Sequence, residues 1–139
     1  MLNYDGCNSY NNLTHHRNIG HGKKDDSGKY YNDKLRHSHV SPDWQGAGWY
    51  RFTGPSGYRM PTKTPGVKHC GTLSTGWLKG NHPKIPGLTV NAKVCFHSYS
   101  NECAKFVDVK VTNCNEYFVY HLPNTRNGYY RYCATNDSF

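Results

Sequence analysis

Long apolar runs are missing from this chain. No stretch approaches the roughly 18 apolar residues of a membrane span, and Met1-Leu2-Asn3-Tyr4-Asp5-Gly6 lacks the apolar centre of a signal peptide. Met1 reads as a start codon placed before a mature form. Hydrophobic residues make up only 35% of the 139, so the core is thin for what is most simply one domain. No segment has helical periodicity, and no internal repeat is present. There is no CxxC pair, no HExxH, no nucleophile elbow and no phosphate loop, so the usual zinc-ribbon, metalloprotease, hydrolase and nucleotide signatures are absent. Acidic residues are scarce, 9 against 17 Lys and Arg, for a formal net charge of +8. None lies between Asp43 and Glu102, where Arg51, Arg59, Lys63, Lys68, Lys79, Lys84 and Lys93 all fall.

The chain does have cysteine: Cys7, Cys70, Cys95, Cys103, Cys114 and Cys133. An even set without metal-ligand spacing fits disulfides in an oxidising compartment. At roughly 2–4 kcal/mol each, such bridges rival the net stability of a small core. The chain therefore reads as a secreted, extracellular module. Its positive charge favours anionic partners such as sulfated or carboxylated glycans, phospholipid surfaces or bacterial envelopes. Nucleic acid fits the charge but no recognition motif is present. Scattered solvated lysines with no common face are the bland alternative.

Strand signals begin at Gly48-Trp49-Tyr50-Arg51-Phe52, followed by turn chemistry in Gly54-Pro55-Ser56-Gly57 and a second short arm, Tyr58-Arg59-Met60, ended by Pro61. The pattern predicts a hairpin with Arg51 and Arg59 on its two arms. Further short strands follow at Gly76-Trp77-Leu78, Leu88-Thr89-Val90 and 92–97. In 106–112, Val107, Val109 and Val111 face one way and Asp108 and Lys110 the other, giving one wet face. Strands at 116–122 and 129–133 follow short turns, which predicts an antiparallel meander. The fold class is all-β or β-rich, a small disulfide-stapled domain of antiparallel hairpins and long loops. Residues 1–47 form a polar, loop-rich segment anchored by Cys7, residues 48–135 the stapled β domain, and 136–139 a tail. From His15 to Ser41 little should be buried, and residues 21–28 read as a candidate for disorder.

These residues resemble a known family: the cysteine-rich module that precedes the zona-pellucida region in uromodulin and in the major glycoprotein of pancreatic secretory granules. The likeness runs in order from Cys7, Tyr10 and Leu13 through Gly48-Trp49-Tyr50-Arg51-Phe52, Arg59-Met60-Pro61 and Cys70 to Trp77-Leu78 with Gly80 and His82-Pro83. It continues through Asn91, Cys95, His97, Cys103, Val109, Val111 and Cys114 to Tyr117-Phe118-Val119-Tyr120, Leu122 and Tyr132-Cys133. Ser41, Thr64, Ala104 and Gly128 stand near places where the family carries additional cysteines. The resemblance implies the bridges Cys7–Cys133, Cys70–Cys114 and Cys95–Cys103, one set among the many that six cysteines allow. It also implies a displayed N-glycan near the Trp-Leu motif that bacterial mannose-binding fimbriae grip. Here Lys79 stands where the acceptor would be, and Asn81 cannot serve because Pro83 occupies the required Ser or Thr position. That role does not carry over by residues. Sequons at Asn12 and Asn136 mark possible acceptors instead.

For binding, Trp49, Tyr50 and Trp77 offer aromatic faces for sugar rings, while Arg51, Arg59, Lys79 and His82 can meet sulfate or carboxylate. Packing is the alternative for the aromatics, and rim charge for the arginines. The expected function is non-enzymatic, lectin-like recognition of anionic or microbial glycan surfaces. A Tyr-, Lys- and Gly-rich adhesive matrix protein is the alternative. His97, His121 and Asp108 could serve a nuclease, but no spacing singles them out. His37 and His39, two apart, could share a strand face and co-ligate zinc or copper, and His15, His16 and His21 form a second cluster, but in a polar loop without a nearby Cys or paired carboxylate adventitious binding is the favoured reading. No catalytic residue, cofactor or metal is expected, and the sequence leaves the oligomeric state open.

Overall fold

The computed structural model describes residues 4–137. Its strands are Asn11–Leu13 (β1), Gly48–Phe52 (β2), Ser74–Lys79 (β3), Thr89–Ser98 (β4), Asn101–Asn113 (β5), Phe118–Leu122 (β6) and Tyr130–Tyr132 (β7). They form one 7-stranded sheet in the order β1-β2-β6-β5-β4-β3-β7. The β-rich, disulfide-stapled class is as expected, and no α-helix occurs among the described residues. The alternation in β5 fixes the middle: Val109 and Val111 are buried while Asp108 and Lys110 are exposed. β4, β5 and β6 form the antiparallel meander. β4 runs unbroken through Asn91, whose exposed side chain lets the ladder continue opposite Lys110.

Two expectations fail for topological reasons. Tyr58-Arg59-Met60 does not fold back on β2, because β2 already lies between β1, in parallel, and β6. Gly54–Ser56 makes a 3-10 turn, and Gly57, at φ 109°, turns the chain toward Thr135. A Cβ there would meet the Thr135 carbonyl oxygen at 2.4 Å. The Tyr58 N–H donates to the Thr135 carbonyl (2.9 Å), and the Thr135 N–H donates to the Arg59 carbonyl (2.8 Å). The last strand also leaves the meander: β7 pairs in parallel with β3 at the far end of the sheet.

The sheet rolls so that its ends meet. Past β1, the Arg17 carbonyl accepts from the Ala134 N–H (2.9 Å), and the Ile19 N–H donates to the Ala134 carbonyl (2.9 Å). Inside the roll lie Leu13, Trp44, Tyr50, Phe52, Met60, Leu78, Val94, Phe96, Val109, Val111, Phe118, Tyr120, Leu122 and Tyr132. Each fully buried aliphatic or Phe side chain of this set contributes about 1.5–3 kcal/mol of transfer free energy. Trp44 stacks on Tyr50 at 4.6 Å and touches Tyr132 at 5.6 Å, joining β2 to β7 across the roll.

The polar stretch 15–41 is far more buried than its composition predicts. Arg17 and Asp33 are fully buried and paired through two 2.7 Å bonds, with Asp43 on the other edge of the guanidinium at 2.7 Å. Nε donates to Asp43 Oδ2 (3.1 Å) and Nη1 donates also to the Tyr132 carbonyl (3.0 Å), so every guanidinium N–H has an acceptor. Burial works against the charge on both Arg17 and Asp43, but their mutual attraction outweighs it. Arg17 is held above, and Asp43 well below, its ordinary pKa. Arg131 is also fully buried, and its N–H groups go to Ser41 Oγ, to the His15, His16 and Cys70 carbonyls, and to His15 Nδ1.

The bridges are Cys7–Cys114, Cys70–Cys133 and Cys95–Cys103. The last is as expected; Cys7–Cys133 and Cys70–Cys114 are exchanged. The observed links span 107 and 63 residues, and chain entropy separates the two pairings by only ~0.2 kcal/mol. Topology decides instead. Parallel pairing of β7 on β3 carries Cys133 past Gly76, whose carbonyl accepts the Cys133 N–H (3.2 Å), to the Cys70 loop. Cys114, just past the end of β5, lies instead beside Val119 beneath residues 4–10.

Candidate functional site: the open face of the sheet

Side chains alternate across each strand, so the residues between the core positions make a second surface. Register sets them in cross-strand rows. Trp49 lies opposite His121, His121 opposite Lys110, and Lys110 opposite Asn91. Asp108, Lys93 and Lys79 form the next row, and Phe106, Cys95 and Trp77 the third. Lys79, Lys93, Lys110, His121 and Phe106 are exposed or largely so, while Trp49, Arg51 and Trp77 are half-buried.

Residues 4–10 cover one end of this surface. Hung from Cys7–Cys114, they pack Tyr4 and Tyr10 against Val119, Trp49 and Tyr117. Gly6, at φ 79°, lies so close to the Trp49 indole that a Cβ would sit 2.3 Å from Cδ2. Glycine is required there, and the contact locks the ring. The Trp49 ring meets His121 edge-on at 5.2 Å. Arg51 stacks over Tyr117 with Cζ 3.8 Å from the ring centroid, and its Nη1 donates to the Tyr10 hydroxyl (3.1 Å). Trp77 donates through Nε1 to the Glu102 carbonyl (2.9 Å). Lys93 pairs with Asp108 at 2.7 Å and lies 4.3 Å above the Phe106 ring. Lys79 and Lys110 have no carboxylate within ion-pair distance among the described residues. Two adjoining hollows, ≈ 320 and ≈ 270 Å³, share Lys110 and His121.

The sequence candidates thus divide. Trp49, Arg51, Trp77 and Lys79 share this open face, although Arg51 is engaged by tyrosines. Tyr50 points into the core at 0% exposure, where its hydroxyl donates to the Gly46 carbonyl (2.6 Å). It cannot touch a surface ligand. Arg59 and His82 lie on the opposite side of the sheet, lining a separate hollow of ≈ 260 Å³ with Lys84 and Phe118. There Arg59 Nη2 donates to His82 Nδ1 (3.1 Å), and His82 Nε2 meets the Tyr120 hydroxyl at 2.7 Å. Burial, then the Arg59 charge, push the His82 pKa down to about 3. Lys93, Phe106, Lys110 and His121 are members of the face that sequence reasoning misses as ligand contacts. Period-two alternation marks the wet face of β5, but only the register across five strands reveals its neighbours.

The enzyme candidates do not assemble. His97 Nδ1 is bonded to Thr64 Oγ1 (2.7 Å), away from His121. Asp108 and His121 line one hollow, but Lys93 holds the carboxylate and no hydrogen bond between the two occurs among the described residues. His16 and His21 stack at 3.8 Å, and His39 packs against Tyr30 and Tyr129. Asn12 is exposed on β1. Asn136 is exposed and accepts from Asn18 Nδ2 (2.9 Å), while Ser138 of its sequon lies outside the described residues.

A rolled β-sheet, disulfide-stapled and presenting a basic, aromatic face, defines an extracellular module, and no helix among the described residues is long and apolar enough to cross a membrane. The chain belongs to the uromodulin-like domain family, whose pattern matches residues 50–134. It is 33% identical over 132 residues to the pancreatic secretory granule membrane major glycoprotein GP2 of Canis lupus familiaris, covering 94% of this chain and 23% of that protein. It is 38% identical over 91 residues to the Rattus norvegicus GP2, covering 63% and 17%. Against uromodulin of Mus musculus the identity is 29% over 139 residues, covering 96% and 19%. The chain thus spans less than a quarter of the length of these relatives.

Proposed function

We propose that this module acts by binding, without catalysis, and that its lectin-like target is an anionic or microbial glycan surface met by the open sheet face. One observation carries the reading: two half-buried indoles, Trp49 and Trp77, flank the ammonium groups of Lys110 and Lys79, which have no carboxylate partner among the described residues, on one surface. Indole rings cover the apolar face of a sugar, and lysines pair with its sulfate or carboxylate. Because the cations are exposed, their contribution is screened by salt. The separate Arg59–His82 hollow is a second anion contact in the same reading, and Asn12 is the better-placed glycan acceptor.

The adhesive-matrix alternative needs accessible tyrosines. Among the described residues, only Tyr58 and Tyr99 of the tyrosines are largely exposed, at 57% and 93%, which favours recognition. A glycan array probed at low and high salt tests the choice. Wild-type protein should bind discrete anionic glycans in a salt-sensitive way, and a Lys79→Gln, Lys93→Gln, Lys110→Gln variant should lose that binding at unchanged Tm. Binding unaffected by the triple substitution would remove the open face from the reading. Equal adsorption to every polyanion would favour the matrix alternative.

A further inference from the structure

A larger hollow than those on the open face lies elsewhere, where the β4–β5 link approaches β7. It measures ≈ 410 Å³, and its lining includes Lys68, Ser74, Ser98, Tyr99, Tyr129 and Tyr130, with no carboxylate. That volume is within the range of small-molecule sites. Tyr99 has no ring contact or side-chain hydrogen bond among the described residues and is 93% exposed. Its φ is 53°, in the two-residue link between the paired residues Ser98 and Asn101. Glycine is the default at a positive-φ first position of such a link. The chain therefore places a large aromatic where a side chain strains the backbone, and leaves that aromatic in water. Both choices work against stability. Lys68, across the same hollow, also has a left-handed backbone, at φ 64°. Such residues cluster at ligand sites, where strain is retained for function.

The other rings are fixed. Tyr129 meets Tyr30 edge-on at 4.6 Å, with its hydroxyl 3.2 Å from Ser38 Oγ. Tyr130 packs edge-to-face on Phe96 at 5.3 Å. Ser74 Oγ and Ser98 Oγ lie 2.9 Å apart. We infer that this hollow binds a neutral pyranose sugar, held by tyrosine rings on its C–H face and by serine and tyrosine hydroxyls at its edge. The density of hydroxyl groups favours a sugar over a proline-rich peptide, which would also seek aromatic walls. With Lys68 as the only charged residue among those lining the hollow, binding depends little on salt. This separates it from the basic face, so either site can fail alone.

The test titrates the full chain with methyl mannoside, methyl galactoside and methyl N-acetylglucosaminide, reading tyrosine ring resonances by NMR at low and high salt. At least one glycoside should shift Tyr99, Tyr129 and Tyr130 saturably, with a dissociation constant in the millimolar range, equally at both salts. Tyr99→Gly should weaken that response at least about tenfold while raising Tm by roughly 2–4 °C, since strain is relieved. Tyr99→Asn, which tolerates the same backbone, should also lose binding. The assignment is overturned if no glycoside moves these resonances, if a decaproline peptide moves them instead, or if Tyr99→Gly lowers Tm.

Discussion

Acid should loosen this module through one buried ring. His82 is 7% exposed and accepts a hydrogen bond at Nδ1 from Arg59. A proton at Nδ1 would oppose that donor and add a buried charge beside a guanidinium. Its folded pKa is accordingly depressed from 6.5 to about 3, by burial first and Arg59 second. The unfolded chain takes up the proton at the ordinary value. Stability from neutral His82 is therefore complete above pH 6.5 and falls with pH until the folded pKa is reached. At about pH 5 the loss is about 2 kcal/mol, which for a chain of this size lowers Tm by roughly 6–8 °C. His15 and His21, also depressed, by burial first, act in the same direction. The assay is differential scanning calorimetry of wild type and His82→Gln between about pH 7.5 and about pH 5. The variant should start less stable and lose much less on acidification. Parallel loss in the two proteins would refute the argument.

Other expectations follow from the same packing. Arg17→Met alone strands Asp33 and should cost about 3–5 kcal/mol in urea unfolding, with Arg17→Met/Asp33→Leu recovering part of it. Non-reducing peptide mapping should return Cys7–Cys114 and Cys70–Cys133. Replacing Cys70 and Cys133 by serine should cost about 4 kcal/mol by loop closure, against about 2–3 kcal/mol for the short Cys95–Cys103 loop. Tyr120→Phe removes the acceptor of the buried Met60 N–H (3.0 Å) and should destabilise by about 1–3 kcal/mol, measured by urea titration.

Much of the sheet is legible in the sequence because its signal is local. Valine alternation in β5 fixes which face is wet, and so foretells the central strand of the open surface. The Gly54-Pro55-Ser56-Gly57 turn is legible as a turn, but turn chemistry does not say which strand the returning arm will meet. Bridges between distant cysteines are equally hidden, since near-equal loop entropies cannot separate pairings that topology alone decides. Tyr50 and Trp49 are adjacent aromatics in one strand, and only their neighbours reveal which is core. The deepest miss is Arg17, Asp33 and Asp43. Isolated charges in a polar stretch read as solvated, and their burial depends on meeting one another and the backbone of Tyr132 far along the chain.

Closure of the roll through Arg17 and Trp44 bears on where this module can be excised. The family pattern begins at residue 50, yet the seam is sewn from upstream. A fragment cut at that boundary would forfeit β1, the indole stacked on Tyr50, and the carboxylate that accepts the Tyr132 N–H (2.9 Å). It would also orphan Cys114 as a loose thiol. Transplants of this unit into another scaffold should start ahead of Cys7.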